Sequence, residues 1–280
     1  MTINKNITLI GYGKLGSNLA KQMLKRELGL KHIITLGKRR GKIFSNKISK
    51  EILETSDVII ICVQDKNILN VVDEIRKLKV SLKGKIFFHT SGVLTSEIFC
   101  NLNNIFAGSF HPAQTFYKKE LNINLFENIY VAIEGDKEYL LFANKLAKSL
   151  GAKPFVIDKS QKILYHLLCV FSSNYILSYF SLVKKIAKRA SLKENRWYKI
   201  IEPLLRTTLN NIEKNHIEDS MTGPIVRYEL GTIEAHLKSI KSDKELLSLY
   251  KLLGIKTSDI AMNIGSITKR QKDKINQLLK

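Results

Sequence analysis

Cysteine is scarce in this 280-residue chain: only Cys62, Cys100 and Cys169 occur. An odd count without paired spacing excludes a disulfide framework and a Cys-rich zinc site, and reduced thiols in a cytosol fit best. Histidine is equally unhelpful to a metal. His89, His111, His166 and His236 lie far apart in sequence, with no H-x-x-x-H spacing. The start, MTINKNITLIGYG, lacks the long apolar run and small-residue cleavage site of a signal peptide. There is no internal repeat and no low-complexity linker.

Acidic residues are also few. The chain has 25 Asp and Glu against 46 Lys and Arg, a net charge of +21. Such a field attracts anions, among them nucleotides, phosphates and carboxylates. The basic residues are spread singly, however, and only Lys38-Arg39-Arg40 clusters near a motif. No zinc-finger or strand-stacking motif accompanies the charge, so nucleic-acid binding is disfavoured. One segment, residues 163–183, is long and apolar enough to suggest a membrane span. It carries His166, Ser172, Ser173, Asn174, Ser178 and Ser181, which would be costly in lipid. A helix buried at the centre of a helical domain is the expectation, with no membrane partner.

The residues that are present divide the chain in two. Apolar residues make up 44%, enough for a sizeable core. Short apolar runs at residues 7–10, 32–36, 58–63, 85–89, 105–110, 128–133 and 154–157 read as strands. Helical periodicity at 14–28, 68–78 and 137–150 alternates with them. That alternation predicts an α/β fold, a doubly wound parallel sheet with right-handed crossovers. VIIICV at 58–63 reads as a central strand covered on both faces. From residue 159 onward only helical periodicity remains. Gly223-Pro224 interrupts it and predicts a new helix, with Thr222 as a possible cap. The expected domains are therefore 1–158, a dinucleotide-binding Rossmann-like domain, and 159–280, an all-α domain.

The most informative motif opens the first domain. Gly11-Tyr12-Gly13-Lys14-Leu15-Gly16 is G-x-G-x-x-G, following a strand and opening a helix. Gly11 permits the tight turn, Gly13 lets a pyrophosphate approach the backbone, and Gly16 lets helix and strand pack closely. The anion then sits on the helix N-terminus. After the second strand, a carboxylate would favour the free ribose hydroxyl of NAD. Here Lys38, Arg39 and Arg40 stand instead, suited to a 2′-phosphate, and the expected cofactor is NADP(H). Val63, Gln64 and Asp65, and after the next strand His89, Thr90, Ser91 and Gly92, stand at carboxyl ends of strands and are expected to line the nicotinamide side of the same crevice.

Reduction of a carbonyl needs a proton donor and a grip on the substrate besides the cofactor. Lys162 and His166 are four residues apart and share a helix face; Asn174 follows eight later, a little over two turns on and still roughly on that face. Either His166 or Lys162 is the candidate general acid, and Asn174 the candidate to orient the substrate carbonyl. The bland alternatives are a satisfied core histidine and a lysine reaching for water. His111, before Pro112, is expected to line the substrate cleft, unless Pro112 merely sets a turn. Arg227 suits a bidentate grip on a substrate carboxylate, with Glu229 beside it; the alternative is an ion pair of Arg227 with Glu229 or Glu234.

GYGKLG, HTSG at 89–92, SFHPAQTF at 109–116, YHLLCVFSSNY at 165–175 and MTGPIVR at 221–227 together resemble a known group. These are the Rossmann-like proteins that carry the helical domain of unknown function 2520. More distantly the chain resembles ketopantoate reductase, pyrroline-carboxylate reductase and the 3-hydroxyacid dehydrogenases. The resemblance implies an NADP-binding domain, a C-terminal domain like that of 6-phosphogluconate dehydrogenase, and a homodimer. It also implies reduction of a small 2-oxo acid, ketopantoate first, as in pantothenate and coenzyme A biosynthesis. The alternatives are an imine or 3-hydroxyacid oxidoreductase, or a non-catalytic NADP-binding sensor. One departure stands out: the family's Thr-Gly-Pro motif has a small residue and an acid after its Arg, whereas here Tyr228 and Glu229 follow Arg227.

Overall fold

The structure is a computed structural model that describes residues 3–35, 37, 41–120, 122–194 and 196–280. The chain divides into two compact units, 1–176 and 177–280.

The first unit is built on one eight-stranded sheet. In chain order its elements are β1 (Ile7–Ile10), α1 (Lys14–Lys25), β2 (Leu30–Ile34), β3 (Phe44–Ser45), α2 (Lys50–Thr55), β4 (Val58–Ile61) and α3 (Asp65–Lys77). Then come β5 (Ile86–His89), β6 (Phe106–Pro112), β7 (Tyr130–Gly135), α4 (Lys137–Leu150) and β8 (Lys153–Val156). The strand order is β3-β2-β1-β4-β5-β6-β7-β8. The β2 strand starts and ends two residues earlier than the apolar run at 32–36 suggested, and the two-residue β3 carries no sequence signal of its own.

An all-parallel sheet was expected, and one pair departs from it. β6 and β7 run antiparallel, with Ser109 opposite Glu134 and His111 opposite Ala132. The reason is the connection. Among the described residues between them there is no helix to carry the chain back across the sheet, and a parallel pair needs such a crossover.

Side chains alternate across the sheet with period two. Val58, Ile60, Ile86, Phe88 and Phe110 face one core, which α1 and α4 cover through residues such as Leu19, Met23 and Leu146. Ile59, Ile61 and Phe87 face the other, with Ile68 and Val72 of α3. On that second face the apolar residues give way to His89, Ser109 and Glu134, all buried. Continuous burial of VIII in β4 agrees with a central strand.

The last strand ends at Val156, whereas the division into compact units falls twenty residues later, at Ile176. Between them lie α5 (Lys162–Cys169), a five-residue π-helical turn (Val170–Asn174) and the start of α6 (Tyr175–Arg189). The expectation of a buried central helix fails here. In α5 and the π turn only Lys162 is buried, while Ile163, Leu164, Leu167, Leu168 and Phe171 are exposed. Its apolar residues are spread around the helix, and this chain's sheet covers only the stripe that carries Lys162. By length and composition alone, Lys159–Arg189 could cross a membrane.

The second unit is helical: after α6 come α7 (Trp197–Asp219), α8 (Leu230–Ile240), α9 (Lys244–Asn263) and α10 (Lys269–Leu279). Ile225, Ile233, Ala261, Ile267, Ile275 and Leu279 form its core. No helix starts at Pro224. Gly223 (φ 108°) and Tyr228 (φ 54°) both take left-handed backbone conformations that interrupt a helix, and α8 begins only at Leu230. Arg227 therefore lies in a turn, not on the helix that carries His236.

Candidate active site

The glycine motif sits where its spacing placed it. Gly11 (φ 106°) connects β1 to α1, and a Cβ there would strike the backbone carbonyl of Cys62, the residue that follows the neighbouring strand β4. A Cβ on Gly16 would strike the carbonyl of Gly11. A Cβ on Gly13 would meet nothing within 4 Å, so this backbone is open to a ligand. Gly13 also caps α1, and as a glycine it offers no side chain to the helix's first N–H groups. These features fit a dinucleotide pyrophosphate, held by the open backbone and the positive helix end. Tyr12 packs edge-to-face on Phe44, with centroids 5.4 Å apart. Lys14 is exposed and Leu15 half-buried beside the core. Val63 is half-buried and Gln64 exposed, at the carboxyl end of β4. Lys38, Arg39 and Arg40 lie outside the described residues.

The turn after β5 organises the neighbouring crevice. Ser91 donates its hydroxyl to Asp65 at 2.8 Å, while the N–H groups of Val93 and Leu94 donate back to that hydroxyl at 3.2 and 3.1 Å. Asp65 opens α3, where a carboxylate suits the helix dipole. His89 points inward instead of lining the crevice. Its Nδ1 accepts from the Ser91 N–H at 3.2 Å, so the ring proton sits on Nε2 and bonds the Thr95 carbonyl at 3.1 Å. Burial, foremost, pushes this imidazole down to about 4, so it is neutral at neutral pH.

Lys162 is the least expected occupant. It is 1% exposed. Its Nζ donates to the Ser109 hydroxyl at 2.6 Å and approaches the Ser91 carbonyl at 3.5 Å. The Glu134 carboxylate lies 3.9 Å away. Burial lowers its pKa to about 8, against the opposing pull of Glu134 and Asp65. Glu134 is itself buried. It accepts from the Ser96 N–H at 3.0 Å, the Ser96 hydroxyl at 2.6 Å and the Ser109 hydroxyl at 3.0 Å. Sequence reasoning missed Glu134 and Ser109. The available signal was a lone acid within the apolar strand VAIEG, since an acid is almost never fully buried unless paired.

One turn beyond Lys162 on the same helix face, His166 meets His111, with ring centroids 5.7 Å apart. Gly92 makes that approach possible, because a Cβ there would run into both imidazoles. His111 also packs edge-to-face on Tyr165 at 5.5 Å, and its Nδ1 lies 3.3 Å from the Tyr165 hydroxyl. Burial first, then the charges of His166 and Lys162, lower the pKa of His111 to about 4. His111, His166 and Asn174 line a cleft of about 820 Å³, with Tyr130, Phe155 and Tyr165 as its aromatic wall. The π turn explains how Asn174 joins them. Its wider i→i+5 winding slows the rotation per residue, so eight residues bring Asn174 back toward the side that bears His166.

Lys162, His166, His111 and Asn174 thus cluster within the first unit. Arg227 belongs to the second unit, where its guanidinium binds the Glu229 carboxylate at 2.6 and 3.2 Å. Each partner holds the other's charged form: the pKa of Arg227 is raised and that of Glu229 lowered, chiefly by this bond. Among the described residues no cluster of His, Cys, Asp and Glu could hold a metal ion.

Two family models match the chain. Residues 6–90 match the NADP oxidoreductase family described as coenzyme F420-dependent. Residues 129–257 match the domain of unknown function 2520. The chain joins an NADP-binding Rossmann domain to the domain of unknown function 2520. That second match begins at β7, so Glu134, Lys162, His166, Asn174 and Arg227 all fall within it, whereas the glycine motif falls in the first. Among solved structures, a candidate NADP oxidoreductase of Bacteroides fragilis is 22% identical, with a TM-score of 0.72 over 91% of this chain and 98% of that one. A protein of Thermotoga maritima is 25% identical, with a TM-score of 0.69 over 92% and 98%. Plasmodium falciparum pyrroline carboxylate reductase, solved with NADP bound, is 12% identical, with a TM-score of 0.64 over the full length of both chains. No curated protein matches.

Proposed function

We propose that the protein is an NADPH-dependent reductase of a small carbonyl or imine compound, bound in the cleft of His111, His166 and Asn174. The observation that carries this reading is the meeting of a buried ammonium, Lys162, and two imidazoles beside the Ser91-Gly92 turn of a dinucleotide-binding domain. A small 2-oxo acid, ketopantoate first, is the leading substrate. The likeness to a pyrroline carboxylate reductase favours a cyclic imine acid as the second.

The backbone from Gly11 to Gly16 would hold the cofactor's pyrophosphate, and Lys38, Arg39 and Arg40 its 2′-phosphate. NADPH, when bound, supplies a hydride. This chain must then supply a proton to the substrate oxygen or nitrogen. His111 is unsuited to that task, because at neutral pH it carries no proton to spare. His166 lines the same cleft and is the donor in this reading, through a ring nitrogen. Asn174 orients the substrate. Lys162 stands one helical turn behind His166 and supplies a fixed positive charge in a site shielded from water, where such a charge favours a developing oxyanion.

The test is NADPH oxidation by purified protein with ketopantoate, a panel of 2-oxo acids and cyclic imines. Turnover is expected, and His166→Ala should lower kcat by about 10²–10⁴, with a comparable collapse for Asn174→Ala. Undiminished turnover in His166→Ala removes His166 from the chemistry. Tight NADPH binding without turnover on any panel member favours the sensor alternative.

A homodimer in the cytoplasm completes this reading. The exposed Ile163, Leu164, Leu167, Leu168 and Phe171 form an apolar surface that a second copy would cover. Cytoplasmic placement rests on the free thiols and on NADPH as reductant. Light scattering should return twice the 32.0 kDa chain mass; a monomer at all concentrations removes the dimer.

A further inference from the structure

The buried polar groups behind the cleft form a directed chain. A hydroxyl has one proton. Ser109 donates its proton to Glu134 at 3.0 Å, which leaves an oxygen lone pair to accept from Lys162 at 2.6 Å. Glu134 is fixed in turn by the N–H and hydroxyl of Ser96. The antiparallel pairing of β6 and β7 makes this possible, because it sets Ser109 directly opposite Glu134 on one face of the sheet. Three donors aim at one carboxylate and fix its orientation. Glu134 is not among the described residues that line the cleft, so its effect must pass through Ser109 and Lys162.

We propose that Glu134, acting through Ser109, is a positioning residue that holds the Lys162 side chain in place and keeps it charged at the pH of turnover. The inference rests on the reductase reading above for its activity arm alone. The charged and titratable groups that face Lys162 come from several elements: Glu134 of β7, His111 of β6, His89 of β5, Asp65 at the start of α3, and His166 one turn along its own helix. His89 and His111 are neutral near pH 7. Asp65 is already bonded to the Ser91 hydroxyl. That leaves Glu134 as the carboxylate nearest the ammonium.

Glu134→Gln keeps the shape and removes the charge. A lone buried ammonium gives up its proton more readily, so the variant should lose activity at lower pH than the native protein. Native turnover should fall as pH rises through about 8, the pKa of Lys162. In Glu134→Gln this limb should move down by roughly 1–3 pH units, the usual effect of one neighbouring opposite charge, with kcat nearly restored below it. Ser109→Ala, a milder change, should shift the limb the same way by less, and it carries the test if Glu134→Gln does not fold. The independent measurement is the titration of the Lys162 side chain by NMR on 13C-lysine-labelled protein, its signal assigned by loss in Lys162→Ala. That titration should move with the limb, and it stands even if no substrate turns over. An unmoved titration in a folded variant, or an equal loss of kcat at every pH, would overturn the proposal.

Discussion

Replacing Gly92 by Ala is expected to lower kcat/KM by about 10²-fold while leaving the thermal midpoint almost unchanged. The added Cβ would overlap Cδ2 of His166 and stand 2.8 Å from Nε2 of His111. Neither neighbour is backbone. Both are the far ends of side chains that can rotate, and Gly92 does not use the left-handed conformation that would strain an Ala. The clash is therefore relieved by swinging the two imidazoles, at small cost to the fold. Catalysis pays instead, because a displacement of about 1 Å in the reacting groups can cost 10²-fold in rate. Cofactor affinity should hold, since Gly11, Gly13 and Gly16 are untouched. Kinetics and thermal denaturation on one preparation decide the matter. Full activity in a stable Gly92→Ala would mean that the two imidazoles are not the reacting groups.

The features of this fold legible in the sequence are those that depend on local chemistry. The glycine motif requires a strand before it and a helix after it, and each glycine has a separate steric reason that residues alone reveal. The strands of the parallel core announce themselves as apolar runs because both faces are covered. The helix spacing of Lys162 and His166 placed them together on one face, as the structure has them.

What could not be read is non-local. The direction of β7 depends on the chain's failure to form a crossover helix, and no residue in β7 itself records it. The partnership of Glu134 with Ser109 and Lys162 follows from that direction, so it was hidden too. His89 was read as cleft-facing from its place at a strand end, but its alternation with Phe88 sends it to the buried face beside Phe99. Asn174 reads as roughly on the His166 face and does line the same cleft, but the π turn that brings it there has no sequence signal. The apolar character of residues 163–183 was legible, but composition does not say whether the cover is the chain's own core or another molecule, and here the chain leaves it exposed.

The buried imidazoles and the buried ammonium tilt the stability curve toward alkaline pH. His89 has a folded pKa of about 4 against 6.5 when unfolded, so between these values the unfolded chain binds the extra proton. Its neutral form is fully in place above 6.5, and its contribution is lost as pH falls toward 4. Protonation would also set a second ring N–H against the Ser91 N–H that Nδ1 now accepts. At about 1.4 kcal/mol per pH unit this amounts to about 3 kcal/mol from His89. His111 adds a smaller amount in the same direction, because its ring forms a cleft wall and is partly hydrated on protonation. Lys162 acts at the other end. Its folded pKa of about 8 lies below the unfolded value of 10.5, so the cost of burying its charge is borne below pH 8 and relieved as pH rises toward 10.5. Urea midpoints should therefore climb from pH 4.5 to 7, and the acid slope should flatten in His89→Gln, which keeps one donor and one acceptor without a proton to gain. An acid slope as steep in His89→Gln as in the native chain would mean that another group takes up the proton, and the neutral, inward-facing His89 would then not be what limits the fold in acid.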